Sequence, residues 1–472
     1  MKKVIWIMVL IVGCYDLSLA QVGSLGSSDA RSMGMGKTYN AVSTGVFAIG
    51  INPSNIAINE NYSINMNTIL PIPFVSFGTG TNFFDLENLN YYFGKVNGQP
   101  RILNDNDKQK LNSLFENGGL IYTNASINLF SLSFNVNKTV GAFAISMKDF
   151  IEGEFTLPQG LTNLILNGNQ LNQTYNINDA SVKSWWIREY SLTYAREILS
   201  WSTKSSNKLF AGVSFKLVNG FYYVKNQDIN SYLQTDFNSQ INLYADNKIV
   251  GAFSNNLGFT YSSDSSNQSV KSSVFPSPAG RGYGVDLGLN TSFNKVWNLS
   301  LAVTDIGKIN WQENTALISY TGEYSVTDLS QPDALDSLKD KFNESKDSTG
   351  NFVTNLPTAV RFGASYFWDI NKNKFPGTLL LAFDYNQGFN DEPGNSLNPR
   401  FSFGTEWKPM DWIPYIRTGV SFGGLLGFHW GLGLGVETGF LEFNIGTLDV
   451  QSLIVPQKGK YFSIALDSVW KF

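Results

Sequence analysis

The chain has 472 residues, with 34 Lys and Arg against 38 Asp and Glu; only 15% of the residues are charged while 14% are aromatic. A mildly acidic chain with no basic stripe excludes nucleic acid as a partner. A single Cys and a single His exclude disulfides and leave no ligand set for a transition metal, and no cofactor site is implied.

Met1-Lys2-Lys3, an apolar run from Val4 to Val12 and Ser18-Leu19-Ala20 form a secretory signal peptide over 1–20, with cleavage after Ala20. Ile11-Val12-Gly13-Cys14 also fits a lipoprotein signal that leaves a lipidated Cys14, and the residues alone leave both open. Beyond the signal no run reaches the ~18 apolar residues of a membrane-spanning helix. A membrane can instead be crossed by strands of ~9 to 11 residues that alternate apolar-out with polar-in.

Residues 21–61 contain Ala30-Arg31-Ser32-Met33-Gly34-Met35-Gly36-Lys37, then Ala41-Val42, Ala48 and Asn52-Pro53-Ser54-Asn55-Ile56-Ala57. Small residues and an Asn-Pro turn cannot build a core of their own, so this segment needs a container. Alternation begins at Tyr62, with Ile64 and Met66 on one face and Ser63, Asn65 and Asn67 on the other. It recurs at 125–136, 139–149, 184–199, 208–224, 282–293 and 297–307, and then at 357–369, 377–388, 399–408, 414–423, 427–437, 439–448 and 460–472. The pattern predicts an all-β fold, a transmembrane antiparallel barrel of 14 strands with residues 21–61 as a plug in its lumen. Sixteen strands follow if 225–281 supplies a full-length hairpin.

An even count puts both chain ends on the periplasmic side. The long segments 71–124, 150–183, 225–281 and 308–356 then all fall outside, and short turns fall inside. Helical spacing inside these loops predicts short amphipathic helices after Asp105 and around Leu335, Leu338 and Phe342. Trp201, Trp297, Trp368, Trp407, Trp412 and Trp470 fall at the periplasmic strand ends, and Trp185, Trp186 and Trp311 at the other rim. Amphipathic indoles favour the bilayer interface, so both sets read as girdles.

The N-terminal motif resembles that of the long-chain fatty acid transporter (FadL/PorV-like) superfamily of outer-membrane barrels, in Bacteroidota-type members. Arg31, Met33, Gly34, Met35, Gly36, Asn52 and Pro53 carry the likeness, with Ala30, Ala41, Val42, Ala48 and Ala57. Lys37 stands where the family has a second Gly, and Ser54-Asn55 replaces Ala-Gly. "LAVTDIGKINW", "LPTAVRFGASYFW" and "LAFDYNQGFN" resemble strand phrases of the same group. The resemblance implies an outer-membrane channel or transporter for small hydrophobic or amphipathic molecules. The alternative it carries is a non-transporting scaffold that docks to a secretion or surface-assembly complex. The partners implied are outer-membrane lipid, a hydrophobic small-molecule ligand or a secretion-complex protein. In the transporter family a kinked third strand opens the wall to lipid, whereas strand 139–149 has no Pro and only Gly141.

Chemistry-bearing patterns are few. Gly34-Met35-Gly36-Lys37-Thr38 lacks the first Gly of a phosphate loop, where Arg31 stands. Asp105, Asp107, Gln109 and Glu116 have calcium-loop spacing, but Lys110 occupies the obligatory Gly position, so a capped surface helix is expected. Arg400, Glu406, Arg417, His429 and Glu437 fall on inward positions of neighbouring strands. With no nucleophile motif beside His429, ion pairs that hold wall and plug together are expected, and no catalytic site. Inward Gly419, Gly423, Gly431, Gly433, Gly435 and Gly446 form a side-chain-free patch on which the plug should rest.

Overall fold

The computed structural model describes residues 29–58, 62–201, 207–257, 273, 275–326, 343–369, 376–424 and 427–472. The expected signal peptide, Cys14 and the helix around Leu335, Leu338 and Phe342 lie outside these residues.

Strands whose residues alternate Phe, Leu or Val with Ser, Gly or Ala bury the small polar face and expose the large apolar one, so they close into one antiparallel wall of fourteen staves. The staves are β1 (Ile64–Thr68, resuming as Phe74–Thr81), β2 (Gly119–Asn137), β3 (Gly141–Leu157), β4 (Ser181–Trp201) and β5 (Asn207–Thr235). After them come β6 (Gly280–Phe293), β7 (Trp297–Trp311), β8 (Ala359–Asp369), β9 (Thr378–Gly388) and β10 (Arg400–Lys408). The wall ends with β11 (Tyr415–Gly423), β12 (His429–Thr438), β13 (Leu441–Thr447) and β14 (Tyr461–Lys471). Each stave pairs with the next, and β14 closes on both halves of β1, with Met66 opposite Trp470 and Phe77 opposite Ile464. The outer face is apolar: Leu192, Phe215, Leu287, Leu301, Phe403 and Leu434 are all exposed. Among the described residues no helix is long and apolar enough to cross a membrane.

Several staves run beyond the expected bounds. β1 continues past Pro71 and Pro73, which break the ladder only over 69–73, because the chain re-pairs with β2 and β14 from Phe74 onward. β3 is paired along its length on both sides, so the interruption of the wall lies in the first stave and not the third. β5 leaves the wall near Phe221, and its far half pairs with Ile241–Phe253, which pairs in turn with Ala316–Val326. The hairpin in 225–281 therefore belongs to a sheet that stands on the rim, and the barrel keeps fourteen staves rather than sixteen.

All the long connections leave one end of the barrel, and Phe472, bonded to Ser63, lies at the other. The loop-bearing end carries α2 (Leu86–Phe93), α3 (Asp105–Ser113) and α4 (Gln159–Asn167) over a small core of Phe83, Tyr92, Leu111 and Phe115. Asn104 and Asp107 form a capping box at the start of α3, so Asp107 serves the helix terminus and the hydroxyl of Tyr91. The girdle expectation needs one correction: Trp185 and Trp311 are buried inward. Neighbouring strand residues face opposite ways, so Trp185 and Trp186 cannot both face lipid.

Candidate functional site

The N-terminal segment lies inside the barrel and divides its lumen. Asp29 caps α1 (Ala30–Gly34) by accepting from the Ser32 amide at 2.7 Å. Arg31 donates twice, at 2.8 Å each, to Glu406, which also accepts from Arg417 Nε at 2.5 Å. The α1 helix and the turn after it rest on inward glycines: a Cβ on Gly433 would lie 3.0 Å from the Cα of Gly34, and one on Gly446 would fall on the Ala30 carbonyl. Gly404, Gly419 and Gly431 lie in the same way under the backbone of Met33, Met35 and Gly36. Only a wall without side chains lets two backbones approach so closely. Met33 and Met35 are buried there as flexible fillers.

The rest of the segment crosses to the opposite wall. Asp384 accepts from the amides of Tyr39 and Asn40 at 2.5 and 2.7 Å. Asn52 donates to the Leu289 carbonyl at 3.1 Å, and the Asn52-Pro53 turn sits over Gly212 and Gly288. Phe47, Ile56 and Phe210 then pack on Ala142, Ala144 and Ala195, forming an apolar barrier toward the end that holds Phe472.

On the loop side of this barrier is a chamber of about 110 Å³. Phe74, Phe150, Trp185 and Ile187 form its apolar wall, with Ile49 and Ile51 as its floor. Lys148 and Glu152 flank Phe150 on β3, Glu189 follows Ile187 on β4, and Lys216, Asp305 and Arg361 complete the lining. Lys216 is enclosed by Glu189 at 3.3 Å, Asp286 at 3.1 Å and Asp305. Lys148 donates to the Ile49 carbonyl at 3.0 Å and so ties wall to floor. The arrangement suits a small apolar body with a polar end.

Arg400, Glu406, Arg417 and His429 are all buried and inward, with Glu437 half-buried beside them. They do not form one site. Arg31, Glu406, Arg417 and Glu437 line a separate polar cavity of about 260 Å³ below α1, where Lys471 bridges Glu437 and Glu442 at 2.7 and 2.8 Å. His429 Nδ1 lies 2.7 Å from Asp449, whose other oxygen accepts from Ser463 Oγ at 3.4 Å. The pair ties the loop after β13 to the wall.

Residues 53–447 match a family described as a family of unknown function, DUF5723. The chain belongs to that family. No curated relative matches it. Among solved structures, this DUF5723 barrel is similar to the Pseudomonas putida toluene transporter TodX, at 10% identity over 96% of this chain and 99% of that chain, with a TM-score of 0.43. It is also similar to the Ralstonia pickettii toluene transporter TbuX (12% identity, 95% and 98% covered, TM-score 0.44). A Pseudomonas aeruginosa FadL homologue is a third (11% identity, 96% and 100% covered, TM-score 0.43).

Sequence reasoning missed the chamber of the DUF5723 barrel, because its walls come from staves far apart in the chain. It also missed the second glycine seat, although Gly212 and Gly288 stand at inward positions of strands it had identified.

Proposed function

We propose that the protein is an outer-membrane channel or transporter for small hydrophobic or amphipathic molecules, with both ends of the barrel chain periplasmic and the long loops extracellular. The supporting observation is the chamber of about 110 Å³ inside the lumen, lined by apolar side chains interleaved with charged ones. An engineered apolar cavity of about 150 Å³ takes up benzene, so this smaller chamber takes at most a molecule near one aromatic ring in size without widening. The apolar outer face and the secretory signal read from the sequence support a membrane location reached by export. Residues 29–58 act in this scheme as the plug that holds the lumen closed on the periplasmic side.

Extraction in mild detergent followed by mass spectrometry of small molecules tests the proposal. A ligand should co-purify with the parent and be lost from Phe150→Arg, which puts a charge on the apolar wall. Absence of ligand from both, with no uptake of toluene or a phenol by vesicles holding the barrel, overturns it.

A second function has its own support in the sheet built on the rim by the far half of β5, 241–253 and 316–326. Such a platform suits a docking scaffold for a secretion or surface-assembly complex. It predicts a co-purifying protein lost when 236–253 is shortened to a turn, with no small-molecule ligand.

A further inference from the structure

The connection between β9 and β10 crosses the lumen. Its root is held by neutral bonds close to its own staves: Phe389 N to the Thr358 carbonyl at 2.8 Å, Asn390 Nδ2 to the Leu356 carbonyl at 2.7 Å, and the fully buried Asn395 to the Thr358 carbonyl at 3.1 Å. Its tip reaches β3, β4 and β5 on the far side of the barrel, where it is held by charge. Lys183 Nζ lies 2.5 Å from Asp391 and 3.0 Å from Glu154. Lys225 Nζ donates to the Asp391 carbonyl at 2.8 Å and stands 3.9 Å from Glu392, which accepts from Tyr223 at 3.1 Å. The Gly394 amide donates to Glu154 at 3.3 Å. Pro393 and Gly394, at the end of this tip, line the chamber.

Root and tip differ in what it takes to release them. Lys183, Glu154 and Glu392 are about nine-tenths buried, but the Asp391 side chain, the lid's own contact to Lys183, is 59% exposed and that of Lys225 29%, and ion pairs with an exposed member are weak and screened by salt. The root's bonds sit around a buried Asn395 and are screened much less. A segment so held opens at its tip before it leaves its root.

We propose that residues 389–398 are a lid over the chamber, with Lys183 and Lys225 as its latch. The lid gives the chamber a second closure, on the side opposite the floor made by Ile49 and Ile51. Lys183 and Lys225 position the lid and touch no ligand. The proposal builds on the channel function above, but its test reads access to the chamber and not transport.

Ser146 lines the chamber, and Cys14 is the only cysteine. Ser146→Cys in a Cys14→Ser background therefore reports access by its rate of reaction with N-ethylmaleimide. The purified full-length barrel in detergent is used, with folding checked by heat-dependent gel mobility and Asn238→Cys as the exposed control. Labelling in the parent should be slow. It should rise at least about tenfold with Lys183→Ala and Lys225→Ala together, since two charge-assisted contacts to the lid are lost and one alone is worth about that factor. Raised salt should accelerate the parent and leave the double variant unchanged. If the double variant does not fold, Asp391→Asn removes the exposed charge without touching the wall, and it too should accelerate labelling. A parent that reacts as fast as Asn238→Cys, or a rate indifferent to latch and salt, overturns the lid. A latch that governs labelling in a barrel that passes no compound keeps the lid and removes the channel.

Discussion

At the scale of single residues, the lumen is held together by two kinds of contact with different failure modes. The glycine seat is steric. Gly433→Leu puts a side chain where Gly34 now lies within van der Waals distance; because the leucine points inward and not into the ladder, the wall should still close. The expected outcome is a barrel of normal gel mobility whose residues 30–40 become protease-sensitive, and continued protection means that the segment is seated elsewhere. The Glu406 site is electrostatic. Glu406 answers both Arg31 and Arg417, and Arg417 is almost wholly buried, so Glu406→Ala leaves two guanidinium groups without their shared carboxylate. Breaking a buried pair costs ~3 to 5 kcal/mol, which denaturant unfolding of the barrel in lipid should register. Arg31→Ala should cost less, because Arg417 still satisfies Glu406. At the lid, burial raises the Glu392 carboxyl above the usual carboxylate range, opposed mainly by Lys225.

At the scale of the element, each stave has two solvents. Leu434 on β12 is outward and exposed, while Ser421 on β11 is inward and buried. Leu434→Arg near mid-stave should cost ~2 to 4 kcal/mol, whereas Ser421→Thr should be mild; equal losses in unfolding measurements would mean that the faces are reversed. This two-sidedness is why the staves were legible in the sequence, since a period of two over Phe401 and Phe403 on β10 and over Gly431, Gly433 and Gly435 on β12 admits no helix. The same logic explains what was not legible. Pro71 and Pro73 end a strand by their local chemistry, yet the sheet takes the chain back at Phe74 because β2 and β14 offer unpaired edges on both sides. The far half of β5 lies outside the lipid, so nothing requires Lys225, Asn226, Gln227 and Asp228 to alternate, and they read as loop. The lid has no period at all. Asp391 and Glu392 acquire meaning from Lys183, Tyr223 and Lys225, which precede them by more than a hundred and fifty residues.

At the scale of the whole molecule, the barrel separates its tryptophans into two populations that a membrane measurement can tell apart. Trp201, Trp297 and Trp368 stand at the stave ends nearest Phe472 with 37%, 48% and 40% of their surface exposed, and Trp412, in the turn at the same end, is 81% exposed. Indoles so placed lie at the level of the lipid headgroups if this end faces one bilayer interface. Trp185 and Trp311 are almost fully buried; Trp311 donates to Thr354 at 2.9 Å and packs against Tyr223 with ring centroids 5.4 Å apart. Single-tryptophan variants reconstituted in vesicles of brominated lipid should therefore divide. Trp201, Trp297, Trp368 and Trp412 should be quenched most by bromine placed near the headgroups and progressively less by bromine deeper in the acyl chain. Trp185 and Trp311 should be insensitive to either, because the wall stands between them and lipid. If Trp297 and Trp412 show different depths, the turns at this end do not share one interface and the transmembrane placement of the staves is wrong. If Trp311 is quenched as strongly as Trp297, the wall is open where β7 should seal it, and the chamber that Trp185 lines is exposed to lipid from the side.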